Sequence, residues 1–462
     1  MSERVLAVGL DIGTTSTKAI VVDTESLAVL VSTSLPTPVE PSGSGDMRRS
    51  SAVVEAAKQT VAASLSELGA DERAAIRSLG VASLGEEVYL VDRFAAPLAP
   101  SPSWYNTGVA VPGSDVDPTL SWHKLAWLSA NRAALGIRDE DVAGFTSLSG
   151  VVASSLSEPI ADRVTIDETH ASRTGFYDPV GRCWHPELLV EAGWPASTFP
   201  TVVSPLSHAQ PISARLASDW GLPTGVTVTS AGHDHLCAGY AAGARNAGDM
   251  FLSAGTAEAH VLLFHGPGSA AELPSGIALG RHVTGDLYLH AQLAAGRIHQ
   301  QWSGLLAPAS ASTESAAPDP SLLALVGTGT QTGVDLLGVT AGTRPEQVLA
   351  AITDGIAFTA RRVDETLARL GGVTVASMIA AGPPTHDARW RLARAELAIA
   401  PISVSSLKEP TAVGAALISA AARGLPSATP RREELHAAPA WAAGFRALTA
   451  ALERAHGRRT DT

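Results

Sequence analysis

The chain has 462 residues, more than one hydrophobic core usually organises, so two large domains are expected. With 45% apolar and 17% charged residues it reads as globular rather than disordered, and 33 basic against 45 acidic residues, net −12, argue against nucleic acid as its main partner. No apolar run reaches the length of a membrane span and no signal-peptide pattern is visible, while two cysteines, Cys183 and Cys237, suit a reducing cytosol. A soluble, cytoplasmic protein without a membrane partner is the expectation.

The first elements are the apolar runs Val5–Leu10 and Ala19–Val22, two short strands around a turn rich in Gly, Thr and Ser. Gly9 and Gly13 would admit positive φ or a close ligand. The turn offers backbone N–H groups and the hydroxyls of Thr14, Thr15 and Thr17, with Lys18 beside them and Asp11 at the strand end. That is a phosphate cradle with one carboxylate suited to hydrated Mg²⁺. No Walker A pattern occurs.

Residues 35–50 read as a loop. Val53, Ala57, Val61, Leu65 and Leu68 then recur at helical spacing, with Gly69 as C-cap, and Ser78–Ala82 is a buried strand. Strands and helices alternate, so a mixed α/β layer fold follows. Glu86 and Glu87 stand between apolar runs, unusual for a buried strand pair unless one meets a ligand; the plain alternative is a solvated turn. Trp104 and Asn106 follow in Pro102–Thr107, where Trp104 could equally be core.

Val226–Thr229 reads as a strand, and Ala231-Gly232 open a loop at its end that projects Asp234 beyond the carboxyl edge of a sheet. Phosphoryl transfer to an alcohol needs such a carboxylate to accept the hydroxyl proton. Because His233, His235 and Cys237 alternate, an extended segment would put them on one face as a zinc site; a core His pair is the other alternative. Gly243–Gly248 is the candidate domain boundary, and Gly255-Thr256 follows it at a strand turn. Residues 307–321 form a loop of low information, and 327–333 are turn material. Thr343-Arg-Pro-Glu346 is a capping box opening a long helix that ends at Gly371-Gly372. Val375–Ala380 is a strand, Gly382 follows it with Pro383 and Pro384, and Glu409–Leu417 starts a helix.

The run Asp11-Ile-Gly-Thr-Thr-Ser-Thr-Lys18 closely resembles the first phosphate motif of the FGGY carbohydrate kinases, of the actin/hexokinase/Hsp70 superfamily. Gly80–Asp92, Gly232–His235, Gly255-Thr256 and Gly382 through Leu417 resemble further motifs of that family in the same order. The resemblance implies an α/β fold of two ribonuclease-H-like (actin-like ATPase) domains, 1–245 and 246–462, with an interdomain catalytic cleft. It implies a xylulokinase-like transfer from ATP, with Mg²⁺, to a small sugar, pentulose-like ketose or polyol. Asp234 falls on the general base and Asp11 on the residue that orients Mg²⁺ through water. Gly13, Thr14, Thr15, Lys18, Gly255 and Thr256 fall on phosphate positions, Gly382 and Gly414 on adenosine positions. Glu86, Trp104, Asn106 and His235 fall on acceptor positions, although Asn106 stands where Asp is common. Prolines 383 and 384 replace commoner glycines, removing donors near the base. Asp167–Asp178, with Ala171-Ser-Arg-Thr-Gly175, matches a recurrent family stretch that mostly builds the domain. No basic residue stands beside Glu86 in sequence, which disfavours an anionic acceptor such as a sugar acid. The alternative from another class is an ATP-binding regulator or actin-like scaffold. A homodimer is the oligomer considered.

Overall fold

The computed structural model describes residues 4–266, 273–306, 317–328 and 333–460. Most of the 307–321 loop and the centre of the 327–333 turn lie outside the described residues. Contacts divide the chain into two compact units. The first is Met1–Ala241 with Gly280–Gly285 and Glu409–Thr429; the second is Ala242–Leu279 with Asp286–Lys408 and Pro430–Thr462.

In the first unit Leu6–Ile12, Ser16–Asp23 and Val29–Pro36 form consecutive antiparallel hairpins. Ile76–Ser83 then joins Leu6–Ile12 in parallel, and Thr227–His233 joins Ile76–Ser83 in parallel. The six-stranded sheet is completed by Gln210–Pro211 at its edge. Central strands buried on both faces need continuous apolar runs, and Leu6, Val8, Leu10, Leu79 and Val81 are all buried. On one face the helix Ser50–Ser66 lays down Val53, Ala57, Val61 and Leu65, the stripe its spacing predicts.

On the sheet lies the helix Pro410–Ala421, contributed by the late segment. Gly9 and Gly80 face each other in register. A Cβ on Gly9 would stand 1.9 Å from the Ala412 carbonyl oxygen, and one on Gly80 equally close to that of Ala415. Gly414 on the helix is in turn 2.0 Å, by the same construction, from the Cys237 carbonyl oxygen. Backbone-to-backbone packing is therefore what these glycines permit. Gly9 and Gly13 lack the positive φ that the sequence suggested.

The second unit repeats the strand pattern. Asp249–Ala254, Glu258–Phe264 and Leu287–Leu293 are antiparallel neighbours, and Ser377–Ala381 and Ile402–Ser405 add in parallel. The sheet has seven strands, closed at its edges by Ile277–Arg281 and Arg432–Glu434. Its long helix, Pro345–Gly371, ends as predicted on Gly372 at φ 61. The start differs by one residue: Arg344 is the N-cap, and Gln347 Oε1 accepts the Arg344 N–H at 3.0 Å. Thr343 is occupied instead by Thr340, whose N–H its hydroxyl accepts at 2.9 Å. Among the described residues no helix is long and apolar enough to cross a membrane.

Candidate active site

Three adjacent parallel strands bring the first unit's chemistry to one edge. Asp11 stands opposite Ala82, and Ala82 opposite Gly232, so Asp11, the Gly85–Glu87 turn and Asp234 all follow from the carboxyl ends of neighbouring strands. The turn after Asp11 is closed by Gly13 N–H donating to the Ser16 carbonyl at 3.0 Å. No described residue hydrogen-bonds to the Asp11 carboxylate. Burial and the Asp234 carboxylate push Asp11 up to about 7, with Lys18 opposing and Glu409 adding to the rise. A half-buried carboxylate that lacks a hydrogen-bond donor and faces a second acid is suited to a hydrated divalent cation.

Lys18 points to the same place and is ion-paired, Nζ 2.6 Å from Glu409 Oε2 at the start of the late helix. Thr14 Oγ1 accepts a hydrogen bond from Trp104 Nε1 at 3.0 Å, which leaves the threonine proton to donate elsewhere. Thr15 is exposed, and its carbonyl accepts from the Thr37 N–H at 3.0 Å.

Asp234 is not on a loop. The strand Thr227–His233 runs through Gly232, and Asp234 is the first residue of the helix Asp234–Ala242. Its Oδ1 accepts the His235 N–H at 2.6 Å and lies 3.1 Å from His233 Nδ1, with 26% of the side chain exposed. The helix also removes the zinc alternative. His233 ends a strand whereas His235 and Cys237, two apart on a helix, face different ways. Cys237 is buried with its thiol donating to the Ala231 carbonyl at 3.4 Å. Among the described residues no group of three or more His, Cys, Asp or Glu side chains is placed to hold a metal.

The two neighbouring glutamates part company. Glu86, at φ 59, accepts from Arg173 Nε at 2.6 Å, and Arg173 Nη2 is 2.5 Å from the same oxygen. No basic residue stands beside Glu86 in sequence; folding supplies one from 87 residues away. The stretch Ala171–Gly175 supplies this counter-charge. Lys124, fully buried, gives its ammonium to the Thr119 carbonyl at 2.6 Å; burial holds it down to about 8, with Glu86 and Glu87 opposing. Glu87 is a buried anchor. Arg48 Nε reaches both its oxygens at 3.0 and 3.1 Å, Tyr89 hydroxyl donates at 2.7 Å and Trp104 N–H at 3.1 Å. Asn106 is engaged elsewhere: its amide donates to the Ser44 and Asp46 carbonyls at 2.8 and 3.2 Å, pinning the loop around Gly45.

In the second unit Gly255, Thr256 and Gly382 come together. A Cβ on Gly382, at φ 121, would stand 1.9 Å from the Ala254 carbonyl oxygen, and the Thr256 carbonyl accepts Arg297 N–H at 2.8 Å as the helix Ala295–Leu306 begins. Pro383 and Pro384 open the short 3-10 turn Pro383–His386, where a missing N–H costs little.

Residues 6–240 match the N-terminal domain of the "FGGY family of carbohydrate kinases", and residues 217–423 match its C-terminal domain. The chain belongs to the FGGY family of carbohydrate kinases. It is an enzyme, a phosphotransferase acting on sugars with ATP as donor, which sets aside the regulator and scaffold alternative. It is similar to the L-fuculokinase of Escherichia coli (strain K12), 24% identical over 376 residues, covering 74% of this chain and 76% of that one. The fold is that of the xylulose kinase from Rhodospirillum rubrum (TM-score 0.83, 21% identity, 98% of both chains). It is also that of the gluconate kinase from Lactobacillus acidophilus (TM-score 0.81, 16% identity, 98% of both chains). The expected α/β fold of paired ribonuclease-H-like domains is borne out.

Proposed function

We propose that this kinase transfers the γ-phosphoryl group of ATP to a hydroxyl of a small ketose, pentulose-like, or polyol, with Asp234 as general base. The observation that carries the reading is the shared strand edge. Asp234, partly exposed at a helix start, is separated from the Asp11 turn by the single strand Ile76–Ser83. The acceptor hydroxyl gives its proton to Asp234 as its oxygen attacks phosphorus, and the bond from phosphorus to the leaving ADP oxygen breaks. Glu86, oriented by Arg173, and His235 hold acceptor hydroxyls. Thr14, Thr15, Lys18 and the backbone at Gly13 are the phosphate positions of the first unit; Gly255 and Thr256 are further phosphate positions, and Gly382 and Gly414 the adenosine positions, of the same reading. Asp11 is the residue that would hold Mg²⁺ through water, and the bound ion would neutralise phosphate charge. The functional division falls at 245/246.

A sugar acid is the second reading of the acceptor, favoured by one observation, the cations Arg173 and Lys124 around Glu86. An ADP-release assay with MgATP against ketoses, polyols and aldonates, with Asp234→Ala alongside, separates these. Ketose- or polyol-dependent turnover lost in Asp234→Ala supports the first reading. Turnover with aldonates alone replaces it by the second. An Asp234→Ala enzyme of unchanged kcat ends the base assignment.

A further inference from the structure

The strand leading to Asp234 is interrupted just before it. Thr227–Ser230 pair with Ser78–Val81 residue for residue; the register then slips, so Ala231 has no opposite number and Gly232 resumes against Ala82. A bulge re-aims whatever follows it, and here the next residues are His233 and Asp234. The backbone at this point is permissive, since Gly232 sits at φ 118. A base that must meet a hydroxyl to within a fraction of an ångström needs such a segment held from outside.

Asp167 reaches both sides of the bulge. It is fully buried at the end of the strand Thr165–Asp167. Its Oδ2 accepts from Ser230 Oγ at 2.9 Å, on the near side. Its Oδ1 accepts from Thr169 Oγ1 at 2.5 Å, and the same threonine oxygen accepts the His233 backbone N–H at 2.9 Å, on the far side. With its proton committed to Asp167, the Thr169 hydroxyl has lone pairs left for that N–H. His170 fills the remaining directions of the carboxylate, Nδ1 at 2.8 Å and backbone N at 3.1 Å. Thr169 also fits closely over the bulge: a Cβ on Gly232 would stand 2.6 Å from its Oγ1. Capping of the short helix Glu168–Ala171 accounts for the bond to His170 N and for none of the others.

We propose that Asp167 and Thr169 form a brace across this bulge and act as positioning residues that set Asp234 for proton acceptance. The proposal rests on Asp234 being the base. The brace touches neither acceptor nor nucleotide; it fixes where the base stands. Displacing a reacting group by about 1 Å can cost on the order of 10²-fold in rate, so a brace is felt in kcat before it is felt in binding.

The test uses the full chain with MgATP and D-xylulose or L-fuculose, whichever turns over faster, in Thr169→Val, Thr169→Ser and Asp234→Asn. Valine keeps the shape of threonine and loses both hydrogen bonds, whereas serine keeps them. Thr169→Val is expected to lower kcat about tenfold or more with the KM for ATP near that of the parent, and to lower the melting temperature by no more than about 2–6 °C. Thr169→Ser is expected to restore most of it. Amide hydrogen exchange gives a readout that needs no acceptor: the peptide spanning 228–240 should exchange faster in Thr169→Val and normally in Thr169→Ser. Unchanged exchange there, or a kcat within twofold of the parent, overturns the brace. So does a serine variant as slow as the valine one. Asp234→Asn separates the two claims. If it stays active, the base reading falls and the proposal with it; if it is inactive beside a fully active Thr169→Val, the brace alone falls.

Discussion

Arg48→Met is the most demanding test of how the first unit is held together. Arg48 and Glu87 are both fully buried, and the guanidinium Nε bonds both carboxylate oxygens. Methionine matches the aliphatic bulk and removes the charge. Glu87 then keeps Tyr89 and the Trp104 N–H as donors but loses the guanidinium that bonds both its oxygens. Removing one partner of a buried pair typically costs about 3–5 kcal/mol, because the other charge is left in low dielectric. For a unit of this size about 1 kcal/mol moves the melting temperature by roughly 2 °C, so a fall of about 6–10 °C is expected at neutral pH. The pH dependence carries a sign. Burial already raises Glu87 above its ordinary range with Arg48 opposing, and without Arg48 it rises further. A group whose folded pKa is raised is most favourable when protonated, so the variant's deficit shrinks as pH falls towards the folded pKa of Glu87. Arg48→Met/Glu87→Gln should recover part of the loss at pH 7. Differential scanning calorimetry of the three proteins at pH 5.5 and 7.5 reads all of this. A loss under 2 °C in Arg48→Met, or a deficit that does not change with pH, would refute the reasoning.

Further outcomes follow from single contacts. Trp104→Phe deletes the donor to Thr14 and should raise the KM for ATP several-fold with the melting temperature little changed; steady-state kinetics decide it. Arg173→Met and Glu86→Gln should each raise the acceptor KM about tenfold, and the double variant should be no worse than the worse single one, as expected of one coupled pair. Gly80→Ala drives a methyl into the Ala415 carbonyl and should leave the protein insoluble or melting at least 10 °C lower. In the second unit His260, fully buried beside Glu258 and Asp364, is held at about 9, raised by Asp364 and Glu258 against burial. Its contribution, about 3 kcal/mol, is therefore complete below pH 6.5 and fades as pH climbs to 9. Thermal melts of His260→Gln should lack that alkaline decline.

What could be read from sequence was local. The Asp11–Lys18 turn, the apolar stripe Val53–Leu65 and the Gly372 cap are each decided by residues within a few positions of one another. What escaped is decided by partners far apart in the chain. Arg173 meets Glu86 across 87 residues, and Asp167 meets Ser230 across 63. The role of Glu87 is not visible locally because Arg48, its counter-charge, lies 39 residues earlier in the loop stretch 35–50. Asn106 sat in the right motif, yet its amide is spent on the Ser44–Asp46 loop, a demand no local pattern announces. Gly9 was read as room for a ligand; the room is taken by a helix about 400 positions later, Pro410–Ala421.

That late helix also governs the order in which the molecule is made. The sheet that carries Asp11, Glu86 and Asp234 is translated within the first 241 residues, but the helix covering Gly9 and Gly80 belongs to the segment Glu409–Thr429. As the chain emerges from the ribosome, the nascent sheet waits with an apolar face bare while the second unit is synthesised. At about 5–20 residues per second this interval lasts on the order of ten seconds or more. A fragment ending at 245 would keep that face exposed for good, so expressing the first half alone should yield aggregate, and adding residues 409–429 through a short linker should rescue it.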